Sequence, residues 1–460
     1  MINFSSLISN RVFSYYKVAE HSNLNVEIVS DPRTLLVPQR FDLPIKLYYI
    51  DAYVRKLRME FPTEVYCAHI HSITAFTNKE KGQKEKSSQN AFVDTFNKLI
   101  DSFLTEGYDS SRSIIPISRE GIILDGAHRL ACAIYFNIPL KVLRLNYVGV
   151  EGEIKVPIYN FKYFQKYALS DEYLDIAARQ YLKYTNKNVY LACLWPSIID
   201  SEKRKLAIKL LSEEYPVIYI KKTNLSYVAF DRLVSQIYMN DYWVGSVENN
   251  FKGSSGKSLL CYNKRGYECY VLFEGKSKED TLQLKDRIRD IFKIGKHSIH
   301  ISDNTDDSIF ISNYVFNTTT LNVLEKAQLG KYSHSLKKII EINDTEVVDI
   351  HGAKILFSLE APGDEKCYSL RNEDLKGFSI EDIKNNPRLS FFYAGKQFLY
   401  PTQKIANEVL KADPGGKYFD AEMSNGHISQ KTLYYYRYFQ VKIEHIVYPC
   451  YKAIRKIIKR

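Results

Sequence analysis

The chain lacks most of the features that would mark a secreted, membrane-spanning or zinc-built protein. Its seven cysteines (67, 132, 193, 261, 269, 367 and 450) form no C-x-x-C pair and no His-linked spacing. That excludes a zinc finger or ribbon and fits a reducing compartment. No stretch approaches the ~18 consecutive apolar residues that read as a membrane span. Residues 1–30 lack an uninterrupted apolar core behind a basic start, so no cleavable signal is read. Helix-turn-helix, finger and RNA-binding sheet motifs are also missing, and basic residues over most of the chain are interspersed with acids, which argues against a nucleic-acid partner. The expectation is a cytoplasmic protein, at most peripheral to the inner membrane.

What is there is a long chain with ample apolar content. At 460 residues, 45% of them hydrophobic, it is sized for roughly two to four domains with proper cores. Thirty-six tyrosines and 24 phenylalanines suit aromatic cores more than a stacking surface. The net charge of +11 is uneven, because the last nine residues hold Lys452, Arg455, Lys456, Lys459 and Arg460 and no acid. Val447, Tyr451, Ile454 and Ile458 recur there at helical spacing, with cations on either side. This is the pattern of an interfacial helix drawn to anionic lipid, each cation contributing on the order of 1 kcal/mol. The same pattern also fits a terminal helix packed on the protein with its basic face in water.

One compact stretch carries several anion-binding features at once. Ile114-Ile115-Pro116-Ile117 reads as a strand, Gly121 to Leu124 leads into Asp125-Gly126, and Ala127-His128-Arg129 opens a helix rich in small residues. Free helix N–H groups, a glycine permitting close backbone approach, and two cationic or hydrogen-bonding side chains converge on a spot suited to a nucleotide phosphate. An ordinary βα connection, with Asp125 capping the helix and Arg129 in water, explains the same residues. Upstream, Phe92, Phe96, Leu99, Ile100 and Phe103 predict a helix before Gly107. The charged run 78–88 precedes it.

Asp125-Gly126-Ala127-His128-Arg129, with that helix and Pro-Ile strand before it, resembles the Asp-Gly-X-His-Arg signature of the ParB/sulfiredoxin-like superfamily, over about residues 68–142. The superfamily includes nucleotide-hydrolysing partition proteins, ATP-using sulfiredoxins and small-molecule kinases. The resemblance implies ATP or another NTP with Mg²⁺ as cofactors. Gly126, Ala127, His128 and Arg129 would cradle phosphate, His128 and Arg129 would offset the developing charge, and Asp125 would hold the metal or orient the acceptor. In the kinases of this group a carboxylate before the helix takes part in catalysis, which makes Glu80 and Glu85 candidates for the general base. Solvated loop charges are the plainer account of both.

Further along, the spacing predicts helices over 45–59, 163–184 and 203–214 and strands over 189–194 and 217–220, the last three elements forming a small βαβ unit. Gly253-Ser254-Ser255-Gly256-Lys257-Ser258 looks like a P-loop, but Phe251 stands where the first glycine belongs and 258–261 reads as a strand. In Gly295 to Asp303, a strand would put His297, Ile299, Ile301 and Asp303 on one face and His300 on the other. A His-His-Asp metal site therefore fits poorly, and a binding role for His297, His300 or Asp303 stays open beside a purely structural one. This segment, the Arg40-Phe41-Asp42-Leu43 start and the Asp-Gly-Ala-His-Arg stretch together resemble uncharacterised proteins of bacterial surface-polysaccharide clusters, implying capsule or lipopolysaccharide O-antigen synthesis.

Val347 to Ala353 resembles the strand and turn that open a nucleotidyltransferase fold. That chemistry needs paired carboxylates some ten to fifteen residues on, where Lys366 and Tyr368 stand; Asp364 is the alternative ligand. A degenerate copy is the preferred reading. The expected architecture is α/β to α+β and multidomain: a ParB/sulfiredoxin-like nucleotide-binding domain over 1–150, a central α/β domain over 151–330, a degenerate nucleotidyltransferase-like domain over 331–430 and a basic amphipathic helix over 431–460. The expected activity is nucleotide-dependent phosphoryl transfer, kinase-like, to a sugar, polyol or glycan intermediate. A nucleotide-gated DNA-binding protein, an active nucleotidyltransferase and a non-catalytic scaffold of glycan assembly are the alternatives.

Overall fold

The structure, a computed structural model, describes residues 4–21, 24–80, 86–152, 154–238, 241–244 and 252–326, with the short segments 347–350, 353–356, 365–368, 382, 385–387 and 390–392. The fold is mixed α/β.

The amino-terminal part opens with α1 (Asn10–Tyr15), capped by the Ser9 side chain, and β1 (Asn25–Val29). The next helix, α2 (Asp42–Val54), begins three residues before the predicted start and ends five before the predicted end. Pro44 is tolerated because it falls in the first turn, where its missing N–H costs nothing. The helix stops where Lys56 takes a positive φ of 55° and Leu57 N–H turns back to the Ala52 carbonyl. Residues from Asp42 to Ala52 are all buried, so this helix is enclosed on every side. It is followed by α3 (Glu60–Ile73) and α4 (Gln89–Thr105). In α4 the buried residues are Phe92, Phe96, Ile100 and Phe103, the stripe that the sequence spacing predicts.

Strand β2 (Ile115–Ser118) is followed by a turn at Gly121, where φ is 81°, which folds residues 122–124 back beside it; Ser118 N–H meets the Ile122 carbonyl and Leu124 N–H the Pro116 carbonyl. That return delivers Asp125 and Gly126 to the start of α5 (Ala127–Phe136). The chain then enters β3 (Leu140–Leu145), which pairs parallel with β2 and antiparallel with β1. A short parallel pair, β4 (Val148–Gly149) and β5 (Ile154–Lys155), closes this part.

The predicted helix over 163–184 is two helices, α6 (Phe161–Lys166) and α7 (Asp171–Tyr184). Ala168 takes φ 59° and the Ser170 hydroxyl caps Tyr173 N–H, which ends one helix and starts the next. Then come β6 (Val189–Leu194), α8 (Ser201–Glu214), β7 (Val217–Thr223), α9 (Tyr227–Ile237), α10 (Lys252–Cys261), β8 (Glu268–Glu274), α11 (Lys278–Phe292) and β9 (Ile299–Ile301). The sheet order is β7-β8-β6-β9 with every neighbour antiparallel. The predicted βαβ unit is therefore split: β6 and β7 run parallel with β8 between them. This is the β-α-β-β-α-β arrangement of a ferredoxin-like unit, with α9 and α10 inserted before its third strand.

Tyr190, Ala192 and Leu194 on one face of β6 pack with residues of α8 and α11 in one core cluster, while Val189, Leu191 and Cys193 on the other face join the main core. That main core runs unbroken from Leu35 to Leu324, drawing in α2, α5 and α7 as well as α12 (Thr305–Val315) and α13 (Thr318–Lys326). At the carboxy-terminal end β10 (Val347–Ile350), β11 (Ala353–Leu356), β12 (Glu365–Tyr368) and β13 (Ser390–Phe392) form an antiparallel sheet in that order. Among the described residues, Cys67, Cys132, Cys193, Cys261 and Cys269 are free, and no helix is long and apolar enough to cross a membrane. The basic segment 431–460 lies outside the described residues.

One buried carboxyl is expected to make the fold pH-sensitive. Glu268 opens β8, accepts hydrogen bonds from Thr223 Oγ1 (2.9 Å) and Leu225 N–H (3.2 Å), and keeps Oε1 without a partner among the described residues. Burial outweighs those bonds and pushes its pKa up from 4.5 to about 7. An acid whose pKa rises on folding stabilises the native state while protonated, and that contribution fades as pH climbs from 4.5 through about 7. Denaturant unfolding across this window should show a loss on the order of 2–3 kcal/mol that Glu268→Gln flattens. An equal loss in that variant assigns the effect elsewhere.

Candidate functional site

The site is built on a buried ionic cluster. At the start of α2 the Asp42 carboxylate accepts from Arg40 Nε and Nη2 (2.8 and 2.9 Å) and from Lys46 Nζ (2.9 Å). Arg40 Nη1 also donates to the carbonyl of Ile123, two residues before Asp125. Lys46 Nζ lies 3.3 Å from His69 Nε2 on α3. All four side chains are buried. Burial alone would raise the Asp42 carboxyl, but the charges of Arg40 and Lys46 outweigh it and hold the group well below the usual carboxylate range. Burial lowers Lys46, and the adjoining carboxylate offsets much of that. His69 is held well below the usual imidazole range by burial and then by Lys46, so it is neutral. Two cations thus face one carboxylate, leaving a buried charge of about +1 beneath the surface.

Above this cluster lies a cavity of about 1040 Å³, with seven lysine or arginine side chains and four carboxylates in its lining. Asp125, Gly126, Ala127, His128, Arg129 and Glu80 all line it. Gly126 takes φ 82° and precedes α5 with no side chain capping the helix. The first amides of α5 have no intrahelical acceptor, so the positive end of the helix faces the cavity. The Arg129 guanidinium folds back over Gly126; a Cβ there would stand 2.7 Å from Nη2, so glycine is needed for the contact as well as for the backbone. Asp125 lies 3.5 Å from Arg129 and 3.9 Å from Arg11. Glu80 meets Lys86 at 2.8 Å and Arg11 at 3.3 Å. Arg11 therefore bridges the two carboxylates across the mouth of the site.

His128 also lines the cavity. It sits 2.7 Å from the Tyr66 hydroxyl and edge-on to Phe96 at 4.6 Å. Burial, reinforced by the charges of Lys46 and Lys86, holds it well below the usual imidazole range. The positive charge in the cavity lining comes from arginine and lysine side chains, Arg129 among them. Glu85 and Asp364 lie outside the described residues. Among the described residues no three His, Cys, Asp or Glu side chains gather as a metal site. Mg²⁺ bound with a nucleotide asks for only one or two protein carboxylates, the phosphates and water supplying the rest. Asp125 and Glu80 are donors of that kind.

The other sequence candidates do not join this cavity. Gly253 to Ser258 lies inside α10, so the predicted strand over 258–261 is helix instead. Two of its three serines meet α9, Ser254 bonding Ser235 at 2.6 Å and Ser258 bonding Asp231 at 2.5 Å. Gly253 lets the helix lie against the Trp243 carbonyl. The motif is a helix-packing device, and its interior N–H groups are spent on the helix. Residues 295–297 form a 3₁₀ turn, so the strand holds Ile299, His300 and Ile301 alone. His297 Nδ1 approaches Cys261 Sγ at 4.0 Å, while Asp303 pairs with Lys278 at 3.0 Å in solvent. His300 does point away from Ile299 and Ile301, between Trp195 and Tyr238, and burial drops its pKa to about 3.

Sequence reasoning missed Arg11, Lys46, Tyr66 and His69. Only the Asp42 to Lys46 spacing of four on a helix carried a signal; the others come from segments far apart in the chain. No family model, characterised protein or solved structure matches the chain.

Proposed function

We propose that the protein is a nucleotide-dependent phosphotransferase whose amino-terminal region, about residues 1–150, is a ParB/sulfiredoxin-like nucleotide-binding domain. The reading rests on one observation above the rest: the uncapped start of α5, with Arg129 folded over Gly126, opens into a cavity with a surplus of cationic side chains. Such an arrangement binds a polyanion. The amides of α5 and the Arg129 guanidinium would hold the phosphates, Lys86 and the buried Arg40–Asp42–Lys46 cluster would add positive potential, and Asp125 would hold Mg²⁺, which would supply charge neutralisation on the transferred group. An acceptor hydroxyl oxygen attacks the terminal phosphorus, the bond to the leaving nucleoside diphosphate breaks, and the hydroxyl proton passes to Glu80.

The acceptor is proposed to be a sugar, polyol or glycan intermediate of surface-polysaccharide synthesis at the cytoplasmic side, on the strength of the sequence resemblance. A central α/β domain over 151–330 and a degenerate nucleotidyltransferase-like domain over 331–430 complete the proposed organisation, with the 431–460 segment resting on the inner-membrane surface.

Thermal unfolding with ATP, CTP, GTP or UTP and Mg²⁺ tests the reading. At about 100 Kd a ligand stabilises by roughly 2.7 kcal/mol, so a clear rise in Tm is expected for the wild type and none for Arg129→Ala. Loss of the rise in Asp364→Ala instead transfers the chemistry to the carboxy-terminal region. No rise with any nucleotide removes the phosphotransferase and leaves a scaffold of glycan assembly. Salt-dependent DNA affinity gated by nucleotide would favour the partition-like alternative.

A further inference from the structure

The Tyr66 ring is buried against Tyr49 and Phe96, with centroids 4.9 and 5.2 Å away. Its hydroxyl makes one hydrogen bond among the described residues, 2.7 Å to His128 Nε2. A neutral imidazole has one N–H and one lone pair, so this contact decides which nitrogen carries the proton. If the histidine donated, the phenol proton would be buried without an acceptor, the costlier arrangement. Burial also pushes the phenol well above its ordinary range, so it keeps its proton, while His128 is neutral. His128 lines the cavity, and its Nδ1 is not among the buried polar atoms left without a partner.

We propose that Tyr66 is a positioning residue whose hydroxyl donates to His128 Nε2, fixing the imidazole proton on Nδ1 so that His128 offers the cavity a neutral N–H donor for a phosphoryl oxygen. The ligand named here rests on the proposed phosphotransferase reading; the tautomer does not. Such a donor works through the ordinary imidazole range, because burial holds the ring's pKa well below it. It also sets what can replace the histidine: the amide nitrogen of asparagine reaches about where Nδ1 stands, whereas that of glutamine reaches toward Nε2.

The test uses the full chain, without ligand, carrying ¹⁵N-labelled histidine, with the His128 signals assigned by their loss in His128→Asn. The wild type is expected to show a protonated Nδ1 and a bare Nε2 that do not titrate across neutral pH, and Tyr66→Phe a mixture of both tautomers. A protonated Nε2 in the wild type overturns the proposal, as does an unchanged spectrum in a folded Tyr66→Phe. If Tyr66→Phe does not fold, the wild-type tautomer decides alone. Binding of Mg·ATP provides the second arm: about tenfold weaker in Tyr66→Phe, and retained better by His128→Asn than by His128→Gln. Equal losses in those two variants would overturn the donor role. Should the tautomer be as expected while no nucleotide binds, the phosphotransferase reading fails and the Tyr66–His128 assignment stands.

Discussion

Alanine at Asp42 lowers the unfolding free energy by about 3–5 kcal/mol, the cost of stranding buried cations without their partner. Asp42 is fully buried, and it is the carboxylate that both Arg40 and Lys46 meet, at 2.8 and 2.9 Å. Removing it leaves two cations together beneath the cavity, one of them also holding the Ile123 carbonyl. Urea unfolding reads the loss directly. Asp42→Asn keeps the shape and loses the charge, so it should fall nearly as far. Adding Lys46→Met to Asp42→Ala should recover part of the loss, because it deletes one of the stranded charges; a double variant as weak as the sum of the singles would show that the ions do not act as a unit.

Alanine at Arg129 acts on the other side of the ledger between stability and chemistry. On the proposed phosphotransferase reading, turnover of nucleotide is expected to fall by about 10²–10³, while unfolding shifts by less than about 1 kcal/mol. The guanidinium is partly exposed, and its one ion pair among the described residues, with Asp125, is 3.5 Å long, so little of the described fold depends on it. The proposed chemistry would depend on it more, because it is the cation placed over the opening turn of α5. Arg129→Lys should not rescue: a lysine offers a point charge where a planar fork lies across Gly126. Steady-state rates beside a melting curve separate the two effects. Unchanged turnover in a folded Arg129→Ala would remove this cavity as the reaction site.

The parts of the fold legible in the sequence were those set by local pattern. Phe92, Phe96, Ile100 and Phe103 announce α4 through their spacing, and the unbroken apolar run of β6 announces a strand buried on both faces. Ala168 announces nothing, since an alanine at positive φ has no compositional mark, and the break between α6 and α7 went unread. The insertion of β8 between β6 and β7 is a choice of pairing across some eighty residues, which no periodicity encodes. The cavity was half legible for the same reason. Asp125 to Arg129 are consecutive and show as a motif. Arg11, Lys46 and His69 reach it from α1, α2 and α3, Tyr66 stands behind it against His128, and only folding brings them there.

The unbroken core from Leu35 to Leu324 also bears on how the chain is made. Helix α2 is buried on every side in the folded chain, and part of its covering is α7, which leaves the ribosome more than a hundred residues later. At ~5–20 residues per second, α2 waits on the order of ten seconds with its surface uncovered, and the partners of β6 and β7 emerge later still. A nascent chain of this design is exposed to aggregation throughout that interval. Its yield in cells should depend on translation speed and on chaperones that shield apolar segments.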